Sequence, residues 1–318
     1  MKGARVVRTG RFVRNLTFVV TLLAVCLAAH AQTADQLMKQ QRCAVRIAIA
    51  ITGKTPSPDL LSSPDPQAQA DALLSTVDFT ERFSRFINMQ FNRTPGATDD
   101  QDAAYYLAYK VLNEGRQWRD LFIGPFSVVT NEADAVVVKD DPNGLGYFRS
   151  PAWLKRYAGN EPNGVKLSTA YRIYNNTIGL HLVPSTNAAG ADITATGRHA
   201  SGCSGCHFDS MYGLDTTASI LTKRNGTGAT MTFDPPTASA ATILGGITVH
   251  DDKELVTALV NSDAFNFRTC RLAFNFLYGR NENRCEGPVF DACMKEFRSQ
   301  GTVQSALAAV VKDPTFCQ

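Results

Sequence analysis

Cys203-Ser204-Gly205-Cys206-His207 is the stretch whose residue types and spacing point to a definite chemistry. C-x-x-C-H is the attachment signature of c-type haem. Two thiols one short turn apart can each form a thioether with a vinyl group. The adjacent imidazole of His207 then serves as an axial iron ligand, one of the protein's main controls on redox potential. Ser204 and Gly205 are small enough to let the backbone pass close to a porphyrin edge. Two other chemistries use paired cysteines. A thioredoxin-like dithiol wants a βαβ setting, which is not visible here. A zinc site normally needs a second ligand pair at similar spacing, and the chain has no second C-x-x-C.

The N-terminus bears on that choice. Residues 1–31 read as a secretory signal peptide. Lys2, Arg5, Arg8, Arg11 and Arg14 form a basic start with no acid, Leu16 to Ala29 is apolar, and Ala29-His30-Ala31 is a small-x-small cleavage site. The apolar run is short for a bilayer span. Cys26 raises a lipoprotein alternative, but Val25 stands where that signal wants a small residue. Cleavage is expected after Ala31, delivering the mature chain to the periplasm or beyond. Attachment of c-type haem takes place outside the bacterial cytoplasm, so the two signals reinforce each other.

The signal peptide takes five of the 32 basic residues and none of the 29 acidic ones, leaving the mature chain slightly acidic. Nothing in that balance argues for nucleic acid or an anionic membrane surface. No second apolar stretch is long enough to span a bilayer, so no membrane span is expected after cleavage. Of eight cysteines, Cys43, Cys203, Cys206, Cys270, Cys285, Cys293 and Cys317 remain after cleavage. With two on haem, five are left in a compartment that favours disulfides. Local spacing suggests Cys285–Cys293, with Cys270–Cys317 stapling the tail and Cys43 as the odd thiol.

The elements that must position the motif read mainly as helices. Leu37, Ala44, Ile47 and Ile51 mark a first helix over Thr33–Thr52, ended by Gly53. Phe79, Phe83, Phe86 and Ile87 form an apolar stripe on a helix over Asp78–Met89, read as a core face. Another helix is expected from about Ala103 to Asn113, with Tyr105 and Tyr106 as packing residues. Phe126–Val129 and Ala135–Val138 could be short strands. Pro184 to Gly202 reads as a long surface loop delivering the motif. Beyond it, helices are expected over Asp252–Asn261, Asp263–Tyr278 (with Phe267, Cys270, Phe274 and Leu277 on one face), around Phe290–Phe297, and from a Thr302 cap through Val311. Carboxylate pairs such as Asp251-Asp252 are explained as helix starts.

A carrier wants a sixth iron ligand that stays bound in both oxidation states. Met231, 24 residues after His207 in Gly228–Pro236, is the leading candidate, in a stretch that resembles the methionine loop of small class I cytochromes. His250 is the runner-up. In a haem enzyme with an open sixth position, His181, His199 and His250 are the available distal imidazoles.

Three stretches carry a wider resemblance. They are Arg46-Ile47-Ala48-Ile49-Ala50-Ile51-Thr52-Gly53-Lys54-Thr55-Pro56-Ser57, then Phe79-Thr80-Glu81-Arg82-Phe83, and Cys203–His207 continuing to Asp209 and Gly213-Leu214. Asp263-Ala264-Phe265, Cys270 and Tyr278-Gly279-Arg280 extend it to the C-terminal helices. Together they resemble the planctomycete-type cytochrome c proteins. This chain departs from that pattern in lacking the family's proline after the Asp, where Ser210-Met211 stand. The resemblance implies an exported electron carrier acting beside a partner protein, with Cys203 and Cys206 as thioether anchors and His207 as proximal ligand.

The expected architecture is mainly α: signal peptide 1–31, a helical N-terminal domain 32–165, and a helical c-type cytochrome-like haem domain with long loops over 166–318. The expected function is single-electron transfer by one covalent haem c, with an unidentified redox partner. The alternatives are a haem enzyme of peroxidase or oxygenase type with an open distal position, and a redox docking module of a larger complex.

Overall fold

A computed structural model describes residues 34–92, 94–96, 102–158, 167–182, 192, 194–200, 204–226 and 230–318. The expected signal peptide and Cys203 lie outside the described residues. The architecture is mainly α, as the sequence pattern requires.

Helix α1 (34–52) turns Cys43, Ala44, Ile47, Ala48 and Ile51 inward, while Leu37 is exposed. It stops at Gly53, whose φ of +71° suits a residue without a side chain. After α2 (Pro58–Ser62) and α3 (Ala70–Leu73), α4 (Val77–Phe91) begins at Thr76, whose side chain accepts from the Phe79 N–H. Its stripe is a core face: Phe79, Phe83 and Ile87 are buried and Phe86 is half-buried. Helix α5 (Ala103–Asn113) packs along α4, and α6 (Asp120–Ile123) follows. The two candidate strands form an antiparallel hairpin, β1 (Phe126–Thr130) and β2 (Val136–Asp140), with Val128 opposite Val138.

Helices α7 (Pro151–Tyr157) and α8 (Leu167–Ile178) lead towards the motif. The stretch expected as a loop contains a helix, α9 (Ala195–Ala200). After the motif come α10 (Leu214–Ser219) and two hairpins that the weak local pattern did not disclose. One pairs β3 (Lys223–Asn225) with β4 (Thr232–Asp234), the other β5 (Ala241–Ile243) with β6 (Ile247–Val249). The chain ends in α11 (Asp252–Val260), α12 (Asp263–Tyr278), α13 (Gly287–Gln300) and α14 (Val303–Val311). Of the α12 residues expected on one inward face, Cys270, Phe274 and Leu277 are buried. Phe267 lies outside, its ring 4.7 Å from that of Phe290.

The two ends of the chain close on each other. The Trp118 N–H donates to the Gly301 carbonyl at 2.7 Å, and the Gln67 amide reaches the carbonyls of Val311 and Asp313. Phe276 of α12 meets Phe79, Phe83 and Phe86 of α4. One apolar core therefore contains residues from both sides of residue 165. No helix among the described residues is long and apolar enough to cross a membrane.

The disulfides correct the expected pairing. Cys43 bonds Cys317, Cys270 bonds Cys293, and Cys285 is a free, exposed thiol. Helix faces decide this rather than closeness in sequence. Cys270 and Cys293 are both fully buried on the packed helices α12 and α13, whereas Cys285 sits on the outer turn between them. Cys43 faces the C-terminal turn Pro314–Cys317, with Cα atoms of the bridge 4.9 Å apart.

Candidate functional site

Residues Ser204–Asp209 form a wide π-type turn that carries Cys206 and His207. Such turns are rare, because they give up regular i→i+4 bonding, and they occur often at functional sites. This one is tied off by its own continuation. The Ser210 hydroxyl and the Met211 N–H both donate to the Gly205 carbonyl. Among the described residues, a side chain built at Gly205 would meet no atom within 4 Å.

The flanking elements hold the turn from both ends. On α9, His199 Nδ1 lies 2.8 Å from Asp209 Oδ1, and its Nε2 lies 3.1 Å from Asp215 Oδ2 on α10. One imidazole thus links the helix before the motif to the end of the turn and the helix after it. With Asp209 and Asp215 against its two nitrogens, the ring is poorly placed to offer either of them to iron. The three residues offer one nitrogen and two oxygens within 4.8 Å of one another, a set that could hold a metal ion. As placed, the histidine is already engaged with both carboxylates. Gly213, at φ +54°, begins α10, where an added Cβ would lie 2.7 Å from Thr216 Oγ1. Leu214, Thr217 and Ala218 then turn inward, and the Tyr174 hydroxyl of α8 meets Thr217 Oγ1 at 3.1 Å. Burial is the main cause that pushes the Tyr174 phenol up to about 12.

The candidate sixth ligands are spread widely along the chain. Met231 is half-buried immediately before β4, at the end of the loop joining the β3–β4 hairpin. His250 is exposed and engaged locally. Its backbone N–H and its Nδ1 both meet Glu254 Oε2, at 2.9 and 2.7 Å. The His250 hydrogen bond is also the leading cause that holds the Glu254 carboxyl below its usual range. His181 is exposed just beyond α8. Asp251 caps α11 by accepting from the Glu254 N–H, as expected of a helix start. Asp252 does more, pairing through both oxygens with Arg149. Tyr105, expected only to pack, also donates to Glu81 Oε2 at 2.5 Å.

Two observations bear on whether this chain's residues suit a covalent haem. Neither disulfide uses Cys203 or Cys206, so the bridges spend none of the motif's thiols. Two thiols able to form thioethers, beside an imidazole able to ligate the iron, are the groups that haem c attachment requires. In addition, buried polar atoms without partners occur on α8 and α12, at Asn176 and Arg268, and α8 packs on both α10 and α12. The first feature fits a covalent haem. The His199–Asp209–Asp215 bracket was not legible from the sequence, because no local rule links residues ten and six positions apart across a turn.

No protein-family model, curated protein or solved structure matches the chain.

Proposed function

We propose that this protein is an exported monohaem c-type cytochrome that passes single electrons to and from a partner protein. The observation that carries the reading is the C-x-x-C-H motif of residues 203–207, left out of both disulfides, with residues 204–207 on a bracketed turn. Cys203 and Cys206 would anchor the group and His207 would ligate its iron. When bound, the haem supplies a one-electron redox centre. The chain's own part is to hold that segment still. His199 fixes the turn between Asp209 and Asp215, and α10 is anchored through Leu214 and Ala218 to the main core. A fixed frame keeps the ligand geometry alike in both oxidation states, which favours rapid electron transfer. Met231 is the proposed sixth ligand, because thioether with imidazole ligation raises the potential.

The test is expression with export and haem maturation. The protein should retain one haem through acid-acetone extraction and denaturing electrophoresis, and a Cys203→Ala, Cys206→Ala variant should lose it. Stoichiometric zinc in place of haem would overturn the proposal. For the sixth ligand, Met231→Ala should change the ferric spectrum and lower the potential; a spectrum matching the parent would transfer the role to His250.

A further inference from the structure

His199 has a carboxylate at each ring nitrogen: Asp209 Oδ1 lies 2.8 Å from Nδ1, and Asp215 Oδ2 lies 3.1 Å from Nε2. The three residues sit on α9, the motif turn and α10, so the docking of separate elements brings them together. Asp209 pairs with no Lys or Arg among the described residues. Asp215 is the least exposed of the three, at 16 % of its side chain, and its Oδ2 is shielded from solvent.

A neutral imidazole carries one N–H and one lone pair, so it donates to only one carboxylate. The shorter contact has the length of a hydrogen bond to a charged acceptor, which puts the proton on Nδ1 and aims it at Asp209. The lone pair of Nε2 then faces a carboxylate oxygen, and two such atoms repel unless positive charge lies between them. A proton there supplies one charge for two carboxylates; a divalent cation supplies two. The spacing suits a cation. Two ligand atoms each about 2.1 Å from one ion, and near a right angle apart, are separated by the distance seen between Nε2 and Asp215 Oδ2. The Asp209 contact is also the kind that orients a metal-bound histidine, whose second nitrogen normally donates to a carboxylate.

We infer that His199, Asp209 and Asp215 form a site for one divalent transition-metal cation. Nε2 and Asp215 Oδ2 are its protein ligands, Asp209 holds the ring through Nδ1, and water fills the remaining positions. An imidazole nitrogen beside a carboxylate selects zinc-like ions over Ca²⁺ and Mg²⁺, which prefer oxygen alone. Asp215 crowds Nε2 against haem iron but is itself a ligand for a small ion. The site therefore uses none of Cys203, Cys206 and His207, and it does not rest on the haem reading. The cation ties α9 to α10 across the turn that carries the motif.

The test is calorimetric titration of Zn²⁺ into the full exported chain after EDTA treatment, with Cys285→Ser throughout to remove the exposed free thiol. Covalent haem withstands EDTA, so zinc bound at this site is counted beside haem and not in its place. The parent should take up one Zn²⁺ per chain that excess Mg²⁺ does not displace. His199→Ala and Asp215→Asn should each lose most of that uptake, and Asp209→Asn should weaken it by about 10–100-fold. In the parent, Zn²⁺ should also slow amide hydrogen exchange in residues 204–213, an effect absent from His199→Ala. No uptake by the parent overturns the proposal and leaves the bracket as a protonated histidine between two carboxylates. Uptake at parent strength in either His199→Ala or Asp215→Asn overturns it as well. If that uptake then disappears in Cys203→Ala, Cys206→Ala protein, the zinc belongs to the motif. Should His199→Ala fail to fold, Asp215→Asn keeps the shape of the side chain and decides the matter.

Discussion

Phe83 lies fully buried among Phe79, Phe86, Trp118 and Phe276, with ring centroids between 4.9 and 5.8 Å from its own. The turn Ser204–Asp209 is held differently. Its fixings are directional contacts to half-exposed groups: two hydrogen bonds to the Gly205 carbonyl and the double engagement of His199. Apolar burial is roughly additive and non-directional, and it gives the aromatic region most of its stability. A few polar contacts in water contribute little each. Segments of that kind open at low cost, while packed helices open only with the whole domain. The difference suits the proposed role, since a segment that must be chemically modified has to be reachable before it is fixed.

That contrast can be broken from either side. Phe83→Ala should have the largest effect, a loss of about 4 kcal/mol from the deleted ring and its cavity. Denaturant melts should show a large fall in midpoint; a loss below about 1 kcal/mol would mean the aromatic region is not the stabilising one. Next comes the closure of the chain ends. Cys43→Ser with Cys317→Ser should cost about 3 kcal/mol or more. It should exceed the Cys270→Ser, Cys293→Ser pair, because the first bridge closes a separation of 274 residues and the second only 23. Equal losses would count against chain entropy as the cause.

Smaller effects sharpen the comparison. Thr302→Ala removes the acceptor of the Ser305 N–H at the start of α14 and should cost about 1 kcal/mol by thermal melting. His199→Ala should cost under about 1 kcal/mol globally. It should nevertheless speed amide hydrogen exchange in residues 204–213, leaving the rates around Phe83 unchanged. Equal acceleration in both regions would erase the distinction drawn here. The smallest effect is a pH dependence at the turn after α12. The Arg280 hydrogen bond is the leading cause that lowers the Glu286 carboxyl, with a lesser contribution from the Asn283 N–H. A carboxyl lowered in the folded state contributes stability above its unfolded value, and that contribution is lost as pH falls through the folded value. Glu286→Gln should therefore lower the neutral plateau slightly and flatten the acid limb, leaving stability at the acid end unchanged. An acid limb identical to that of the parent would remove Glu286 as a contributor.

Much of the helical frame was legible because each long helix carries its own amphipathic record. The stripe Phe79-Phe83-Ile87, the α12 boundaries Asp263 and Tyr278, and the Thr302 cap follow from periodicity and capping chemistry, which are local. The motif of residues 203–207 is equally local, being defined by spacing alone. The parts that escaped depend on which faces meet. Cys293 lies near Cys285 in sequence but faces Cys270, because a helix places its side chains by angle and not by separation. Phe267 has helical spacing with Cys270 yet lies on the rim, because only packing decides how wide the buried stripe is. His199 finds Asp209 and Asp215, and Arg268 comes to lie against Gly179, through the docking of separate elements. The sequence by itself determined the helices, their caps and the sulfur–imidazole motif, since these arise from interactions within a few residues. Tertiary structure alone decided the disulfide partners, the bracket around the turn and the contact of Arg268 with Gly179, since each depends on long-range packing.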